Sequence, residues 1–181
     1  APFGGGRLLP GGWLREPVSA LSRAGLVVLT RSDQVDPATR ASIRDRVSTW
    51  TDSPVLEAVH RPRAVVSMPE GDSSAPSMLR GERVRAFCGI GRPSAFTSTL
   101  ASLGAIVVET IDLPDHHDYS EEEFGRLVSG DLPVLTTEKD AVKVRQWASP
   151  ERPFRYLTVG LEIIAGEGDL DAALDRVLEG R

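Results

Sequence analysis

Cysteine, histidine and long apolar runs are all scarce in this chain, and each scarcity removes a class of protein. A single cysteine, Cys88, in 181 residues excludes an internal disulfide framework and any multi-thiolate metal site, and fits a reducing compartment. Its apolar neighbours predict a buried, inert thiol. No apolar run approaches the roughly 20 residues that a membrane-spanning helix needs, and no stretch has the order of a signal peptide. The segment is therefore expected neither to span a membrane nor to be exported. Neither sign of charge forms a long run: 21 basic against 26 acidic residues leave a formal charge of -5, which argues against a nucleic-acid footprint. The G-x-x-x-x-G-K-[ST] phosphate loop is missing, as are internal repeats and low-complexity tracts. So is an initiator methionine. The chain opens on Ala1 and runs straight into Pro2-Phe3-Gly4-Gly5-Gly6, and it is expected to be the C-terminal part of something longer.

What is present is enough apolar content, 40%, for one medium domain or two small ones. A Gly- and Pro-rich loop over residues 1–16 leads into a short helix over 16–23. Residues 26–30 are an aliphatic run typical of a strand covered on both faces. Asp36-Pro37 supplies an N-cap and a proline at the first helical position, so a helix should run to about Trp50. Two extended runs, 55–59 and 64–68, flank His60-Arg61-Pro62-Arg63 as two strands or a β-type linker. Serine, proline and glycine over 69–81 mark a domain boundary. Beyond it strands at 84–88, 105–111, 133–136 and 154–159 alternate with helices at 93–103, 120–128, 139–147 and 169–178. That alternation predicts parallel βαβ units.

In a parallel sheet, ligands gather where strands end and loops cross to helices, and the unusual residues fall there. Gly89-Ile90-Gly91-Arg92-Pro93 follows a strand; it reads first as a tight turn and second as a phosphate cradle at a helix N-terminus. Two of the three histidines stand side by side in Asp115-His116-His117-Asp118. A carboxylate beside an imidazole can fix its tautomer, and the histidine can then relay or stabilise a proton. The competing reading is a polar loop leading to Ser120, which caps the next helix. In Thr137-Glu138-Lys139-Asp140 the acids are ordinary first-turn residues. Lys139 opposes the helix dipole, so an anionic ligand or a partner carboxylate would rationalise it. Lys143, one turn on, shares that face. Arg15-Glu16 can hold phosphate through the guanidinium and magnesium through the carboxylate, or can be a surface ion pair. Thr30-Arg31-Ser32-Asp33 loosely echoes the base-reading loop of P-loop GTPases.

Four of these stretches taken together carry a resemblance. PFGGGRLLPGGWLREP at Pro2 to Pro17, FCGIGRPSAF at Phe87 to Phe96, PDHHDY at Pro114 to Tyr119 and TTEKDAVK at Thr136 to Lys143 resemble the tetraacyldisaccharide 4'-kinases, the lipid A 4'-kinases. The resemblance covers most of the chain. It implies transfer of the γ-phosphoryl group of ATP, with Mg2+, to the 4'-hydroxyl of an acylated glucosamine disaccharide 1-phosphate at the cytoplasmic face of the bacterial inner membrane. It further implies an α/β fold: the C-terminal part of a P-loop NTPase-like core (1–53), a β-type linker (54–81) and a smaller parallel α/β domain (82–181).

Residue by residue, the resemblance makes His116 of Asp115-His116 the histidine that assists an aspartate base, with His117 a lesser candidate. It puts Arg15 and Glu16 near the nucleotide phosphates and the metal, and matches Glu138, Lys139 and Asp140 to the family's TEKD motif. The Walker A loop, the base and the acidic pair that supports magnesium belong N-terminal to Ala1, as does a membrane-associating helix. The chain is therefore expected to be inactive alone, and membrane contact is expected through the full-length chain. Two other readings stay open. Asp115-His116-His117 could coordinate manganese as in DHH phosphoesterases, or the chain could be a non-catalytic binding domain.

Overall fold

The computed structural model describes residues 3–179; Pro2, the first residue of the N-terminal motif, lies outside the described residues. By compactness the chain forms two units, one of residues 1–60 with 161–181 and one of residues 61–160. The sequence suggests a different division, into 1–53, 54–81 and 82–181, which is taken up below.

In the first unit a 3-10 helix, Val18–Arg23, stands where a short helix is expected. Strand β1 (Val27–Thr30) follows, then helix α1 (Pro37–Ser48). Asp36 caps α1 by accepting the Thr39 N–H at 2.9 Å, as the Asp-Pro pair predicts. β1 lies parallel to the first part of strand β2 (Val55–Met68), with Val27 opposite Val55 and Thr30 opposite Ala58. Arg44 of α1 reaches Glu57 of β2 at 3.0 Å. β1 is not covered on both faces: Val28 is 40% exposed, because the strand borders an open apolar concavity of about 590 Å³. In the loop after β1, the Ser32 hydroxyl is buried and donates to the Leu29 carbonyl, a turn contact that accounts for the Thr30–Asp33 pattern.

β2 runs unbroken through Pro62, one strand where the sequence suggests two separated by a linker. A proline removes only one ladder donor and is tolerated where its position does not face a partner. Its second part pairs antiparallel with β3 (Ser73–Ser74). The second unit continues with β4 (Arg83–Cys88), α2 (Pro93–Ser102), β5 (Ile106–Asp112), α3 (Glu121–Leu127), β6 (Val134–Thr137) and α4 (Glu138–Val144). β7 (Phe154–Ala165) and α5 (Glu167–Glu179) complete the chain, and both lie partly or wholly in the first unit.

Within the second unit the strand order is β2-β7-β6-β4-β5. β4 is parallel to β5 and β6, and β6 is parallel to β7. The alternation of strands and helices thus yields the expected parallel βαβ arrangement. Side chains alternate across a strand, and this splits the core. Val84, Ala86 and Cys88 of β4 pack with Phe96 and Leu100 of α2. Phe87 faces the other way and packs with Phe124 and Leu127 of α3 and with Ala141 and Val144 of α4. With helices on both faces, the strand ends are where polar chemistry can reach solvent.

Candidate functional site

β4, β5 and β6 are parallel, so the turns that follow Cys88, Asp112 and Thr137 emerge at the same edge of the sheet. This brings Gly89–Gly91, the loop 113–119 and the first turn of α4 together. Leu113 N–H bonds the Cys88 carbonyl at 2.9 Å, and His116 N–H lies 3.3 Å from the Gly89 carbonyl. The loop therefore continues the β4–β5 pairing beyond the strands.

Gly89 is needed for closeness. A Cβ there would stand 3.1 Å from His117 Cβ, the Pro114 carbonyl and the Tyr119 hydroxyl, and one at Gly91 would stand 3.2 Å from Asp115 Oδ2. The turn is the tight crossing that its glycines suggest. It does not fit a phosphate: the Gly89 N–H is taken by Asp140 Oδ2 at 3.0 Å, and Gly91 faces a carboxylate.

Lys139 finds the partner that its place in a first turn demands. Its Nζ lies 2.8 Å from Asp115 Oδ1, and that hydrogen bond holds the Asp115 carboxyl below the usual carboxylate range. The same oxygen accepts the His116 backbone N–H at 3.0 Å. Asp115 does not orient the His116 imidazole, because the ring Nε2 is 3.9 Å from Oδ2, beyond a hydrogen bond. The carboxylate is spent on the lysine and the backbone. His116 has φ +62°, an uncommon conformation for a residue with a Cβ, and its side chain is 78% exposed. Its ring is presented to solvent at the sheet edge while its backbone is tied down.

His117 points elsewhere. Its Nε2 is 2.8 Å from Glu123 of α3, which places the ring proton on Nε2 because a carboxylate only accepts. Lys143 Nζ donates to the His117 carbonyl at 2.6 Å. Ser120 caps α3 by accepting the Glu123 N–H at 3.2 Å.

Asp140 overturns the reading of both TEKD acids as ordinary first-turn residues. Glu138 is exposed, but Asp140 is completely buried. Besides the Gly89 N–H, its Oδ2 accepts the Thr137 hydroxyl at 2.7 Å, and its own N–H donates back to Thr137 at 3.2 Å. The spacing Thr137-x-x-Asp140 is that of a reciprocal cap and is the signal that could have found it. Arg15 and Glu16 belong to the first unit, where Glu16 pairs with Arg23. Among the described residues no group of His, Cys, Asp and Glu is gathered that could hold a metal ion. With His117 turned to Glu123, the Asp115-His116-His117 run does not assemble a DHH-type centre.

A parallel α/β unit with helices on both sheet faces and an ionisable cluster at the carboxyl ends of its strands defines the class of α/β proteins that bind ligands at that edge. A sequence profile of the family described as Tetraacyldisaccharide-1-P 4'-kinase matches residues 1–179, and the chain belongs to this family. It is 38% identical over 181 residues to a tetraacyldisaccharide 4'-kinase of Anaeromyxobacter sp. strain Fw109-5, covering 98% of this chain and 49% of that protein. It is 41% identical over 145 residues to that of Elusimicrobium minutum, covering 78% and 38%. A crystal structure of Aquifex aeolicus LpxK in complex with ATP matches 96% of this chain and 49% of its own, with a TM-score of 0.68 at 26% identity. The chain spans about half the length of the curated relatives it matches.

Proposed function

We propose that this chain forms part of a lipid A 4'-kinase, which moves the γ-phosphoryl group of ATP to the 4'-hydroxyl of tetraacyldisaccharide 1-phosphate and gives lipid IV-A. The observation that carries this reading is the gathering of the Gly89–Gly91, Asp115-His116 and Lys139-Asp140 motifs at one sheet edge in a chain of this family. In this reading residues 1–53 are the C-terminal tail of the nucleotide-binding core, 54–81 a β-type linker and 82–181 the small α/β C-terminal domain.

Phosphoryl transfer depends mainly on positioning and charge stabilisation. His116 is the group that assists an aspartate base supplied by the rest of the protein, holding a proton at its exposed imidazole as the sugar hydroxyl is deprotonated. Arg15 would sit at the nucleotide phosphates. Magnesium takes one or two carboxylates together with phosphate oxygens and water. Glu16, exposed and held only by Arg23, fits as one such ligand beside a bound nucleotide and not as a site of its own. The ion would neutralise charge on the phosphates. Lys139 fixes Asp115 and so the backbone of His116.

The substrate carries acyl chains, so the whole protein works at a membrane surface, in this reading the cytoplasmic face of the inner membrane. Among the described residues no helix is long and apolar enough to cross a membrane; in this reading contact with the bilayer is made by the full-length protein. The test is ATP-dependent phosphorylation of tetraacyldisaccharide 1-phosphate by the complete protein and by this chain alone. Transfer by the complete protein and none by the chain is expected. A well-folded complete protein without transfer would overturn the assignment, and transfer by the chain alone would overturn its division of labour.

A further inference from the structure

We infer that Asp140, acting with Tyr119, is a positioning residue that sets the backbone of the His116 loop. The inference rests on the proposed part of His116 in catalysis. A fully buried carboxylate is expensive unless it is paired. The lysines beside Asp140 in α4 do not pair with it: Lys139 Nζ is on Asp115 and Lys143 Nζ on the His117 carbonyl. Its Oδ2 instead takes the Gly89 N–H and the Thr137 hydroxyl, while Oδ1 has no hydrogen-bond partner.

Among the described residues the Tyr119 hydroxyl is the other buried side-chain polar atom without a hydrogen-bond partner. It stands against Gly89, the residue whose N–H Asp140 holds. Burial first, and the Asp140 carboxylate second, push the Tyr119 phenol well above its ordinary value. It therefore stays protonated and keeps its hydrogen as a donor where it packs on Gly89.

The consequence for His116 runs through one residue, Gly89, whose N–H and carbonyl lie in successive peptide units. Asp140 fixes Gly89 through its N–H, and the His116 N–H is held by the Gly89 carbonyl on one side and Asp115 Oδ1 on the other. A non-glycine residue at positive φ persists when its surroundings over-determine it. Here α4 supplies that restraint at three points: Asp140 to Gly89, Lys139 to Asp115 and Lys143 to the His117 carbonyl. At the far end of the loop the Tyr119 hydroxyl packs against Gly89, the residue that Asp140 holds. Replacing Asp140 with an apolar residue frees the Gly89 N–H, and the imidazole departs from the aspartate base it assists without any contact to substrate being removed.

The complete protein tests this in a double-mutant cycle of Asp140→Leu and His116→Ala, read as kcat and as KM for ATP. In the otherwise native protein, Asp140→Leu is expected to lower kcat roughly 10- to 100-fold, the scale of a misplaced catalytic group, with KM for ATP unchanged. On the His116→Ala background it is expected to have little further effect, because it acts through that residue. Asp140→Asn keeps an acceptor for the Gly89 N–H and is expected to recover most of the rate. Where Asp140→Leu lacks a cooperative thermal transition, Gly89→Ala takes its place, displacing the same loop from its other side. An equal loss in both backgrounds overturns the inference and leaves the role of His116 standing. A native rate in His116→Ala alone overturns that role and the inference with it.

Discussion

Lys139 Nζ and Asp115 Oδ1, 24 residues apart, meet at 2.8 Å and tie the first turn of α4 to the loop after β5. The contact answers an oddity visible in the sequence, a cation where the helix dipole favours an anion. It also makes the loop around His116 sensitive to acid.

The sign follows from the lowered pKa of Asp115. Its carboxyl is held below the ordinary value of 3.8, chiefly by Lys139. The stabilisation is therefore present above the ordinary value and is lost as pH falls through the depressed one. Lys139→Met should return the Asp115 carboxyl toward its ordinary titration, seen by carbon NMR. The stability difference between native protein and variant should shrink as urea melts are taken from neutral pH to below 3.8. A constant difference across that range would contradict the pairing.

Gly89→Ala should destabilise the second unit by about 1–3 kcal/mol, the usual cost of overpacking. Its Cβ would meet the Pro114 carbonyl, His117 Cβ and the Tyr119 hydroxyl at 3.1 Å, and a backbone atom cannot step aside. Gly91→Ala should cost less, because its Cβ meets the end of the Asp115 side chain. Thermal melts of the two variants give the order directly.

Thr137→Ala removes the α4 cap and the hydroxyl that Asp140 accepts. A lost N-cap costs about 1 kcal/mol, and the change should appear as a shift in the urea midpoint with an unaltered slope.

Cys88 should be silent to thiol reagents. It is completely buried on β4, and burial pushes its thiol up to about 11, so little thiolate exists near neutrality. As the chain's single cysteine, it gives an unambiguous readout. Labelling should track unfolding, and rapid labelling of native protein would show that β4 opens locally.

The second unit was legible in the sequence because its signals are local. Pro93 opens α2, Ser120 and Thr137 cap α3 and α4, and short aliphatic runs separate them, so β4, α2, β5, α3 and β6 lie within a residue of their expected bounds, while α4 ends three residues early and β7 runs six residues further than expected. What was not legible depends on contacts across the fold. The burial of Asp140 follows from Gly89, 51 residues earlier, crossing over the start of α4, and no pattern in Thr137–Asp140 names that partner. Asp115 was expected to serve the His116 ring and serves its backbone and Lys139 instead, a choice made by the positive φ at His116. The exposed face of β1 escaped the sequence for a similar reason. A run of aliphatic residues records the capacity to be buried, not the presence of a cover.

The proposed use of the His116 imidazole by a lipid kinase is tested by phosphate transfer from labelled ATP to tetraacyldisaccharide 1-phosphate, measured on the complete protein and its His116→Ala variant. Transfer is expected to fall by orders of magnitude in the variant, with ATP binding retained and the thermal transition intact. Undiminished transfer by the variant, or no transfer by well-folded native protein, would contradict the proposal.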